Sequence, residues 1–97
     1  MAVGTIEVTI SQTNSNQQIS SSQLRVRQVT FQSIAGHAMQ VGDTNITGTR
    51  GYQLAVGSTT PQQITFGPFE NDGLIDLQQW YVRGTQNDKL EVIYLEA

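Results

Sequence analysis

The chain has no cysteine and, among its 97 residues, one histidine, one lysine and two prolines. Without cysteine there is no disulfide framework, no thiolate nucleophile and no thiolate zinc site, and no redox compartment can be read. A single histidine excludes a histidine cluster around a metal. Charge is also sparse. Five basic and eight acidic residues make up 13% of the chain, against roughly 25% in an ordinary soluble domain. The densest basic spacing is Arg25 and Arg27. Neutralising phosphates takes several cations on one face, so no nucleic-acid partner is expected. No apolar run approaches the ~18 residues of a membrane span, and Met1–Ile10 lacks a basic start followed by an apolar stretch, so neither membrane nor signal segment is expected. A sustained 3.6-residue period is missing as well, which argues against a helical domain.

Uncharged polar residues fill the gap: 13 Gln, 11 Thr, 7 Ser and 5 Asn. Such a surface hydrogen-bonds well and carries little long-range field. The length suits one domain over residues 1–97, with a single core. The dominant period is two. Ile6, Val8 and Ile10 alternate with Glu7 and Thr9, as in a half-buried strand. Residues 11–23, SQTNSNQQISSSQ, hold one apolar residue and are expected to form a long polar, mobile loop. Leu24 and Val26 share one parity, Val29 and Phe31 the other. A β-bulge near Arg27–Gln28 would bring all four to one side; a strand passing from one sheet to another would use both faces.

His37, Met39 and Val41 alternate in a third strand, which places His37 on a core face as a structural histidine. Tyr52 and Leu54 lead to a turn at Gly57–Pro61. Gln62–Phe66 is a strand with Ile64 and Phe66 inward, stopped by Gly67-Pro68. Residues 70–76, ENDGLID, read as a turn-rich connection, Leu77–Gln79 as a helical turn and Trp80–Arg83 as a strand. Residues 85–88, TQND, read as a hairpin-type turn before Lys89–Leu95. Seven to eight short strands with turns every ~8–12 residues indicate an all-β fold, an antiparallel β-sandwich of jelly-roll type.

Candidate chemistry is thin. His37 on an apolar strand has no nucleophile elbow to serve, so a catalytic triad is not expected. Acidic side chains gather at Glu70, Asp72 and Asp76, and at Asp88 and Glu91. A carboxylate pair or a calcium ion could use such groups, but Asp72-Gly73 is also an ordinary turn pair. No enzyme activity, metal or other cofactor is expected. The stretch GDTNITGTRG, residues 42–51, could cradle a phosphate, yet it lacks the P-loop lysine and a following helix. Its Asn45-Ile46-Thr47 sequon carries little weight without a secretory signal. A short strand around Ile46 between two glycine bends accounts for it.

Two observations bear on partners. In the last strand Leu90, Val92 and Tyr94 share one face, and Ile93 and Leu95 the other. A half-exposed strand should not be apolar on both faces, so the second face is covered within the domain or by another chain. Trp80 and Tyr81 are adjacent, so they point to opposite faces of a strand and at most one lies in the core. The other suits an interface, where Trp and Tyr are enriched, or a sugar-stacking platform. The residues expected at a self-contact are therefore Trp80, Tyr81, Ile93 and Leu95, joined by Val3 and Ile6 through an N-terminal arm.

The succession VGDTNITGTRGYQLAVGS, then ITFGPFE, then LQQWYVRGTQNDKLEVIYL, over residues 41–95, resembles small virion proteins of tailed bacteriophages. Those read V-G-D-x-x-V-T, G-x-x-L-x-x-G, aromatic-G-P, L-x-D-x-Y-V-x-G-T and a closing V-x-Y. The resemblance implies a structural β-sandwich module: a capsid decoration (cement) protein or a head–tail accessory protein. It further implies the major capsid protein as partner, a homotrimer, and location on the virion capsid surface after synthesis in the bacterial cytoplasm. The rival reading is a receptor- or glycan-binding module of a phage fibre, using loops 11–23 and 70–76.

Overall fold

The computed structural model describes residues 3–34, 37–54, 63–67 and 75–96. Nine strands lie among them: β1 (Val3–Thr9), β2 (Gln17–Gln18), β3 (Arg25–Ile34), β4 (Met39–Gly42), β5 (Tyr52–Leu54), β6 (Gln63–Phe66), β7 (Ile75–Asp76), β8 (Tyr81–Arg83) and β9 (Lys89–Glu96). The first sheet runs β1-β9-β3-β6, with β7 pairing β3; the second runs β2-β8-β4-β5. Every strand pair is antiparallel. The fold is all-β and sandwich-like.

Alternation decides which faces meet. From the first sheet Val8, Val29, Phe31, Leu90 and Val92 point inward, and from the second Met39, Val41, Leu54 and Val82; all join one buried cluster. Ile6, Leu24, Ile64, Phe66 and Tyr94 pack against it. The β3–β9 register shifts between Val26 and Gln28. That bulge turns Val26 and Val29 to the same side, so the parity switch is a bulge and not a change of sheet. Gly67 ends β6 beside it with φ +96°, and a β-carbon there would fall on the Arg27 carbonyl oxygen. Leu77–Gln79 forms a 3₁₀ turn capped by Asp76, whose Oδ1 accepts from the amides of Gln78 (3.0 Å) and Leu24 (3.1 Å). Those two amides hold the Asp76 carboxyl below its ordinary value, chiefly through Gln78.

Several expectations are corrected. The 11–23 stretch is not a free loop: it contains β2, and Ile19 is buried. Its amides take the place of apolar periodicity. The Gln17 side chain accepts from the Ser11 amide and donates to the Thr9 carbonyl, both at 3.0 Å, clipping β2 to the end of β1. Ile75–Asp76 is a strand and not part of a turn. Residues 85–88 join β8 to β9, which lie in different sheets, so this is a corner and not a hairpin. His37 is exposed, not in the core, because β4 begins only at Met39 and the alternation stops there; its Nδ1 lies 3.0 Å from Asp88 Oδ2. The Gly57–Pro61 turn and residues 70–74 fall outside the described residues.

Candidate functional site

The outer face of the first sheet is laid out by register. Its rows are Val3, Leu95 and Gln28; Thr5, Ile93, Thr30 and Thr65; Glu7, Glu91, Gln32 and Gln63; and Thr9, Lys89 and Ile34. Three of the four exposed large apolar residues among the described residues stand on this face: Val3 at 66%, Ile93 at 50% and Ile34 at 48%. Val3, Ile93 and Leu95 line a shallow hollow of about 250 Å³ with Gln28 and Thr30. The Thr30 and Thr65 hydroxyls pair across the strands at 2.7 Å.

Within these rows charge lies at one end, and Arg25, exposed on β3 beyond the bulge, stands past the other. Glu7 and Glu91 are cross-strand neighbours, and Lys89 Nζ lies 3.3 Å from Glu7 Oε1. Two carboxylates placed opposite cannot both ionise freely. The hydrogen bond shared with Glu7 raises the Glu91 carboxyl above its ordinary value, with desolvation and the Glu7 charge adding to it. The same bond, then Lys89, lowers Glu7.

The six residues expected at a self-contact do not form one patch. Val3, Ile93 and Leu95 come together as described. Ile6 shares the inward parity of Val8 and Ile10 and packs on the core. Trp80 also packs on the core, stacked on Phe31 with ring centroids 5.3 Å apart. Tyr81 lies in the second sheet, beside Gln18 and Gly42.

A second surface opens where the edge strands β5 and β6 face each other without pairing. Tyr52 on β5 meets Phe66 on β6 edge-to-face at 6.5 Å, and Phe66 meets Trp80 at 5.0 Å. Beside these rings lies a cleft of about 640 Å³, whose other wall is the 42–51 loop. Between β4 and β5, residues 43–51 hold no strand. Asp43 Oδ1 accepts from the Asn45 amide at 2.9 Å, and the Thr47 carbonyl from the Arg50 amide at 3.3 Å, giving two successive turns. Ile46 between them is buried and anchors the loop; a side chain at Gly42 or Gly51 (φ +109°) would strike it. Asn16 reaches over from the 11–23 segment to donate to the carbonyls of Thr44 (2.9 Å) and Ile46 (3.0 Å). Neither Ile46 as an anchor nor Asn16 as a clamp has a periodic signal in the sequence.

No group of three or more His, Asp or Glu among the described residues could hold a metal ion. Asp88 is engaged by His37 and Glu91 by Glu7, so these two carboxylates have separate partners. No helix among the described residues is long and apolar enough to cross a membrane. No known family model, characterised protein or solved structure matches the chain.

Proposed function

We propose that the protein is a bacteriophage capsid decoration protein. It self-associates as a homotrimer, binds the major capsid protein on the outside of the shell, and stabilises the virion by bridging capsid subunits. The observation that carries this reading is the outer face of the first sheet. Val3, Ile93 and Leu95 stand there in a field of Thr and Gln, with Glu7, Glu91 and Lys89 toward one end and Arg25 past the other. Such a face suits contacts made by shape, apolar burial and hydrogen bonds.

The strand order supports the finer architectural reading, a jelly roll. With the two-residue β7 set aside, the eight remaining strands take the orders first-eighth-third-sixth and second-seventh-fourth-fifth. Successive strands up to the fourth alternate between the sheets, as two interlocked Greek keys require.

Two measurements test the proposal. Purified protein should co-sediment saturably with empty capsids assembled from the major capsid protein encoded nearest its gene. In light scattering, Ile93→Asp and Leu95→Asp should each dissociate the oligomer while circular dichroism stays that of a folded β protein. A folded protein that ignores those capsids, or an oligomer indifferent to both substitutions, overturns the proposal.

A further inference from the structure

We infer that the cleft between Trp80 and the 42–51 loop is a binding site for a neutral sugar, one pyranose unit of a glycan or polysaccharide. Its volume of about 640 Å³ lies within the roughly 300–1,000 Å³ of small-molecule sites. The wall is aromatic, formed by Trp80, Phe66 and the exposed Tyr52. The rim is polar, formed by Asp43, Arg50 and Gln79.

A pyranose asks for this combination. One face of its ring is a set of C–H bonds that packs on an aromatic ring, and its edge carries hydroxyls that both donate and accept. A carboxylate accepts, a guanidinium donates and an amide does both. Among the described residues the rim groups have unspent capacity. There Asp43 uses only Oδ1, on the Asn45 amide. The guanidinium of Arg50 and the side-chain amide of Gln79 are engaged by no other described residue, and Asp43 and Arg50 do not pair with each other. One carboxylate beside one guanidinium leaves the rim without net charge, which disfavours phosphorylated or sulfated ligands that need several cations. The rim is also held in place before any ligand arrives. Ile46 anchors the loop from below and Asn16 clamps two of its carbonyls, so little ordering cost falls on binding.

The site shares no lining residue with the outer face of the first sheet, and it does not rest on the decoration reading. Trp80 is the sole tryptophan of the chain, so its emission reports on the cleft directly. The experiment is a fluorescence titration of the full chain with neutral hexoses, N-acetylhexosamines and their oligosaccharides, alongside sialylated and sulfated sugars and a tyrosine- and leucine-rich peptide. At least one neutral sugar should change the emission saturably. Tyr52→Ala, which removes part of the aromatic wall, and Gln79→Ala, which leaves sugar hydroxyls unpaired, should each raise its Kd about tenfold or more. Asp43→Ala should do the same, with Gln79→Ala guarding against its effect on the Asn45 turn. Ile93→Asp should leave the Kd unchanged. No response to any neutral sugar, saturation only by the charged sugars or the peptide, or a Kd indifferent to all three rim and wall substitutions overturns the inference. Loss of the sugar response with capsid binding intact removes this site alone.

Discussion

The face proposed to meet other subunits carries its charge as a coupled group. Glu7 is held ionised by the hydrogen bond from Glu91 and by Lys89, while Glu91 is held protonated to a higher pH than an ordinary glutamate. Their effects on stability run in opposite senses. The lowered Glu7 contributes stability that is present above the ordinary glutamate value and lost as pH falls through its folded value. For the raised Glu91 the folded protein binds the extra proton, so stability falls as pH rises from the ordinary value through the raised one. Glu7→Gln removes the neighbouring charge. The Glu91 midpoint, followed by side-chain carboxyl NMR, should then fall toward the ordinary glutamate value. A midpoint that does not move would show that desolvation, not Glu7, sets it.

At the scale of the element, the bulge in β3 depends on the residue facing it. Gly67 combines a φ of +96° with a close approach to the Arg27 carbonyl, so any β-carbon must displace backbone. Gly67→Ala should cost about 1–3 kcal/mol in urea unfolding. Gly48→Ala, with nothing within 4 Å of its β-carbon, should stay within about 0.5 kcal/mol of the parent; equal effects would separate the bulge from its glycine. The bulge itself was legible, because Val26 and Val29 differ in parity yet both needed burial. Alternation likewise disclosed β1, β6 and β9, and the apolar second face of β9 disclosed Ile93 and Leu95. The strand β2 was hidden because Gln17 and Gln18 hold it through side-chain amides that leave no apolar period. The corner at 85–88 reads as a hairpin because turn chemistry does not record which sheet the next strand joins. Ile6 packs on the core as its parity with Val8 and Ile10 requires, and Trp80 does so from the end of a 3₁₀ turn, where strand alternation gives no guide. The sugar cleft was out of reach: Tyr52, Phe66 and Trp80 come from separate segments and meet only where two sheet edges close.

For the whole molecule, the balance of five basic against eight acidic residues sets what kind of force can hold it to a particle. Like charge at that density gives weak steering, and its field is already confined to ~10 Å at 0.1 M salt. The face proposed for contact is mostly Thr, Gln, Val, Ile and Leu, whose contributions are apolar burial and hydrogen bonds. Both weaken in urea, which solvates apolar and peptide groups alike, and both are largely indifferent to sodium chloride. Raising sodium chloride from ~0.1 to ~1 M, where the screening length drops to ~3 Å, should leave the bound fraction nearly unchanged in co-sedimentation with capsids or in light scattering of the oligomer. Urea at about 1–2 M, kept below the unfolding transition followed by Trp80 emission, should release it, since association buries surface that urea favours exposing. Sodium sulfate, excluded from protein surface, should tighten the association. Release by sodium chloride with resistance to urea would assign the contact to Arg25, Arg27, Lys89 and the acidic residues, and would rule out the apolar face built on Ile93 and Leu95.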